Sequence, residues 1–99
     1  MRLTPQQVEA IRTVVREQAG PEAVVYLFGS RVDDAARGGD VDLMVELPTP
    51  VEEPALLAAR IAGRISRALE ERKVDVVVAA PNLMCLPIHD VARREGVRL

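Results

Sequence analysis

Cysteine, lysine and asparagine are almost missing from this chain: Cys85, Lys73 and Asn82 are single occurrences in 99 residues. One thiol excludes an internal disulfide framework and a cysteine-rich metal centre, and it fits a reducing compartment better than a secreted one. An excess of positive charge is also missing, since 13 Lys and Arg face 15 Asp and Glu for a formal charge of −2. A protein that works mainly on a nucleic-acid backbone needs a clustered basic face, so direct nucleic-acid binding is not expected. Nowhere do 18 apolar residues run together, and the first helix-like segment breaks its apolar positions with Gln7, Glu9 and Arg12. A membrane span and a signal peptide are therefore not expected either. A cytoplasmic protein is.

What is present is enough for one small domain. At 48% apolar and 28% charged residues the composition is that of a folding chain, and 99 residues leave room for a single core, so one domain is expected over residues 1–99. A core of this size buries only about 60–65% of the unfolded surface. Little apolar area remains for a deep private pocket, and a partner chain is expected to complete any site.

The pattern along the chain predicts the order α-β-β-α-β-α. Thr4, Pro5 and Gln7 form a helix start with a capping box, Leu3 is placed to staple onto Val8, and Gly20-Pro21 supplies the stop. Residues 23–28 are an apolar, β-branched run that breaks at Gly29-Ser30, the mark of a buried strand entering a loop. From Val41 to Leu47 apolar residues alternate with Asp42, Met44 and Glu46, which predicts a strand with one face in the core. A helix is expected from Glu53 to Arg72, a third strand from Val74 to Ala79, and a last helix near residues 86–95 with Ile88, Val91 and Ala92 facing inward. The fold class is thus α+β in two layers: a small mixed β-sheet with helices on one face and carboxylates on the open face.

Those carboxylates carry the chemistry. Aspartate is depleted in strands, yet Asp40, Asp42 and Asp75 lie in or beside them. Residues two apart on a strand leave the same face with Cα atoms about 6.5–7 Å apart, so Asp40 and Asp42 can converge on one divalent ion or a close pair. Asp75 alternates with Val74, Val76 and Val78 and should share the open side. Carboxylates crowded together repel unless a cation neutralises them, which makes a hard, oxygen-seeking ion such as Mg²⁺ the natural occupant. Gly29 lets the backbone approach a ligand closely, and exposed N–H groups with the Ser30 hydroxyl can hold phosphate oxygens. Two ions about 3.5–4 Å apart would then serve a metal-bound triphosphate.

Phe28-Gly29-Ser30, nine intervening residues, and Asp40-Val41-Asp42 resemble the Gly-Ser and Asp-x-Asp signature of the DNA polymerase beta-like nucleotidyltransferases. The whole chain looks like their smallest branch, the minimal nucleotidyltransferases that act as antitoxins beside HEPN toxins. The resemblance implies that Gly29, Ser30 and Arg31 bind the triphosphate of ATP, that Asp40 and Asp42 bind two Mg²⁺ ions, and that Asp75 completes the catalytic set. It further implies transfer of AMP to a tyrosine hydroxyl of a cognate HEPN toxin. Two other readings stand beside it: a non-catalytic antitoxin that neutralises its partner by docking, and nucleotidyl transfer to a small molecule. Asp33 and Asp34 add charge to the intervening loop without an assigned role. Ser30 is not expected to be a covalent nucleophile, because no base is evident for it. His89 reads as a surface or satisfied core residue, Met84 and Cys85 as gap fillers, Tyr26 as core, and Arg93, Arg94 and Arg98 as a solvated face.

Overall fold

A computed structural model of the chain describes residues 3–28 and 41–99. Helix α1 spans Pro5–Ala19, strand β1 Val24–Phe28, β2 Val41–Glu46, helix α2 Pro54–Ala68, β3 Val74–Ala79, helix α3 Pro87–Glu95, and β4 Val97–Arg98. The order is the expected one with a two-residue strand added at the end. The start of α1 is the capping box read from the sequence: Thr4 Oγ1 accepts the Gln7 backbone N–H at 3.1 Å, and Gln7 Oε1 accepts that of Thr4 at 2.8 Å. Gly20 ends the helix at φ 98°, a left-handed backbone that favours glycine.

Helix α2 is shorter than the expected span of residues 53–72. Its last turn closes on itself, with Glu71 N–H donating to Ser66 O at 2.7 Å, and Glu70 and Glu71 both turn to positive φ. The backbone bonds of this turn take up the carbonyls that further helix would have used.

The sheet runs β3-β2-β1-β4. β2 and β3 are parallel, joined by the α2 crossover, while β1 is antiparallel to both β2 and β4. Beneath one face, Ile11, Val15, Ile61 and Ile65 of the first two helices pack on Leu27, Val41, Leu43 and Val45. This is the main core, placed as the alternation in β2 requires.

The other face departs from expectation. It is not left open, because α3 crosses it, and Ala92 packs with Phe28, Met44 and Ala79 in a second apolar cluster. The cause is topological. β3 and β4 are opposite edges of the sheet, three strand spacings or about 14 Å apart, and the nine residues of α3 span about 13.5 Å. With α1 and α2 already filling one face, the connection takes the other. Met44 is consequently fully buried rather than solvated. The inward face of α3 is also rotated: His89 and Ala92 are buried, whereas Ile88 is exposed.

Gly96, which ends α3, permits this crossing. A Cβ there would meet the carbonyl oxygens of Ala92 and Leu27 and approach Phe28 Cβ. Gly96→Ala is therefore expected to cost about 1–3 kcal/mol through overpacking, read as a lower melting temperature. Gly63, in the middle of α2, has open space where a Cβ would go. Gly63→Ala should instead raise stability by about 0.5–1 kcal/mol in the same melting experiment.

Candidate active site

The face crossed by α3 is a short ladder of side chains. Residues paired across adjacent strands point to the same side, so the register gives three rows. Asp75, Asp42 and Phe28 make the first row; Val77, Met44 and Tyr26 the second; Ala79, Glu46 and Val24 the third. The middle row lies under α3. The first row stands at one end of the face, with two carboxylates on neighbouring strands about 4.8 Å apart.

Asp42 and Asp75, deduced from separate sequence segments, are thus direct register partners in the parallel pair. Asp75 is exposed and Asp42 half-buried, while Val41, Leu43 and Val74 beside them are buried in the main core. Burial of those neighbours fixes which way the aspartates point, because a one-residue slip would drive charge into the apolar layer. The backbone beside them is closed by Val41 N–H donating to Lys73 O at 2.9 Å.

Gly29, Ser30, Arg31 and Asp40, with Asp33 and Asp34, lie outside the described residues. β1 ends at Phe28, which pairs with Asp42 in the carboxylate row. Among the described residues, no three His, Cys, Asp or Glu side chains come together as a metal site. Two carboxylates opposite each other are nonetheless a fitting start for one: their oxygens suit a hard divalent cation, and a bound cation offsets the repulsion of like charges in register.

Residues 8–97 match the nucleotidyltransferase domain family. The chain belongs to that family. Among solved structures, a toxin-antitoxin complex with AMP-PNP is similar over 97% of this chain and 72% of its own, at 18% identity and TM-score 0.68. The toxin-antitoxin MntA-HepT is similar over 96% and 70%, at 17% identity and TM-score 0.66. A complex of tri-AMPylated Shewanella oneidensis HEPN toxin with MNT antitoxin is similar over 94% and 67%, at 18% identity and TM-score 0.61. At these identities the likeness is one of fold. No curated protein matches the sequence.

For a nucleotidyltransferase domain, the far end of the same face holds features that sequence patterns did not bring out. Glu46, in the third row, accepts from Arg93 of α3 at 2.8 and 3.1 Å, and this hydrogen bonding raises the Arg93 pKa above its ordinary value. His89 is buried, its Nδ1 accepting the Leu86 backbone N–H at 3.0 Å. Its place three residues after Leu86, where a capping side chain reaches back to the helix start, was the one sequence signal of that bond. Among the described residues no helix is long and apolar enough to cross a membrane.

The Asp42–Asp75 pair makes a direct forecast. Asp75→Asn should raise the melting temperature in EDTA by the removal of about 0.2–1 kcal/mol of like-charge repulsion. The same change should shrink the stabilisation gained on adding Mg²⁺, since binding stabilises only in proportion to affinity. Thermal melts with and without the ion read both.

Proposed function

We propose that this nucleotidyltransferase domain transfers AMP from ATP to a tyrosine hydroxyl of a HEPN-type toxin, and that this modification makes it an antitoxin. The observation that carries the reading is the in-register Asp42–Asp75 pair, in the same row as Phe28, the last residue of β1 and the one that precedes Gly29-Ser30 in the sequence. Family membership supports the nucleotidyl chemistry. The solved structure of an AMPylated HEPN toxin with an MNT antitoxin, similar in fold, supports the acceptor.

In this mechanism Gly29, Ser30 and Arg31 hold the triphosphate so that the α-phosphorus faces the carboxylate row. Asp40, Asp42 and Asp75 would hold Mg²⁺, and the metal would polarise the phosphate and offset charge on the leaving group. The tyrosine oxygen attacks the α-phosphorus, the bond from that phosphorus to the bridging oxygen of pyrophosphate breaks, and the phenolic proton is lost to solvent. Positioning accounts for much of the acceleration, since a held nucleophile and phosphate react as if at very high concentration. An acceptor carried on another protein suits a chain of 99 residues that packs two apolar clusters of its own.

The test uses ATP labelled in the α-phosphate, Mg²⁺ and the product of the adjacent reading frame. Label should move onto a tyrosine of that partner, and Asp42→Asn should reduce the rate at least about a hundredfold, the scale for losing one charge-stabilising group. No transfer by the wild type, or undiminished transfer by the variant, removes the proposal.

A further inference from the structure

The third row of the carboxylate-bearing face opens into a cavity of about 220 Å³ between the ends of β2 and β3, the segment 80–86 and the start of α3. Leu47, Leu83, Met84, Cys85, His89 and Arg93 are among the residues that line it. Three observations bear on what it takes.

The first is exposed apolar surface. Of the five large hydrophobic side chains exposed among the described residues, three fall within residues 84–88, Met84 at 78%, Leu86 at 45% and Ile88 at 37%, and Met84 itself lines the cavity. Single exposed hydrophobics are ordinary, whereas a cluster beside a cavity marks a contact surface.

The second is an unused donor. His89 is only 4% exposed, and because its Nδ1 accepts from Leu86, the neutral ring carries its proton on Nε2. That buried Nε2 has no hydrogen-bond partner among the described residues. Buried donors are nearly always paired, so this one calls for an acceptor beyond the described residues, which a bound partner can supply.

The third is charge. Among the described residues Arg93 is the one cationic side chain in the lining, and its guanidinium is engaged by Glu46 at 2.8 Å and lies 3.6 Å from Asp90. Its charge is matched by these carboxylates. A neutral occupant fits without a further counter-charge: an apolar group carrying a hydrogen-bond acceptor, as a side chain with its peptide carbonyl provides.

We infer that this cavity, together with the exposed Met84 that lines it and Leu86 and Ile88 of the adjoining segment, is the docking point of the toxin partner, which seats an apolar side chain there and offers a neutral acceptor to His89. The inference rests on the proposed function for the identity of the partner. Its geometry agrees with that reaction, since Glu46 and Asp42 are on one face of β2, four residues or about 13 Å apart. A standard interface covers about 800 Å² on each partner, so one protein seated on the rim also reaches the carboxylate row.

The experiment measures the affinity of the full chain for the adjacent-frame toxin by calorimetry, with AMP-PNP binding followed by thermal shift on the same samples. The variant Met84→Glu, Leu86→Glu alters only exposed positions. It should bind the toxin at least about tenfold more weakly, the weight of a central contact, while AMP-PNP binding is unchanged. Cys85, the single thiol, gives an independent readout in the unaltered chain: bound toxin should slow its reaction with a bulky maleimide at least about tenfold. Toxin affinity within about twofold of wild type in the variant, unprotected Cys85 in the complex, or no binding of the toxin by the wild-type chain overturns the inference. A wild-type chain that binds the toxin with Cys85 protected but transfers no label would overturn the transfer reaction and leave the docking point standing.

Discussion

The parallel pairing of β2 with β3 is the constraint on which the rest depends. It sets Asp42 against Asp75, two like charges that would not choose each other's company. What holds them there is the layer beneath: Val41, Leu43, Val45, Val74 and Val78 are buried against Ile61 and Ile65 of α2. Each fully buried aliphatic side chain contributes about 1.5–3 kcal/mol, so the apolar face outweighs the carboxylate repulsion several times over. The site is a by-product of register, and register is held by the core.

The second consequence of that sheet is its asymmetry. One face is sealed by two helices, the other by a single short helix that has to run from the β3 edge to the β4 edge. α3 packs over the middle of the face, with the exposed Asp75 toward one end and the His89 cavity toward the other. Gly96 makes the crossing possible by bringing the end of α3 against Leu27 and Phe28. A larger helix would have covered the carboxylates, and no helix would have exposed Met44 and Phe28.

Much of this was legible in the residues. The capping box at Thr4 and Gln7, the period-two alternation in β2 and the isolated Asp75 in a valine-rich strand are local signals, and each appears where the spacing placed it. The covering of the second face was not legible. Val97-Arg98 is too short a strand to carry a pattern of its own, and without it nothing told that α3 must traverse the sheet. Nor was the depth of His89, whose neighbours in sequence are polar or exposed while its neighbours in space are not.

The sequence by itself determined the element order, the inward row of each strand and the aspartates' shared face, because those follow from the periods of helix and strand. It also carried the family, through motifs whose residue types suit phosphate and metal. Tertiary structure alone decided that Asp42 and Asp75 are register partners, that α3 lies on their face, and that Glu46, Arg93 and His89 meet around one cavity. Those are contacts between segments far apart in the chain, 47 residues for Glu46 and Arg93, and local pattern does not specify which strands pair or which edge a closing strand takes.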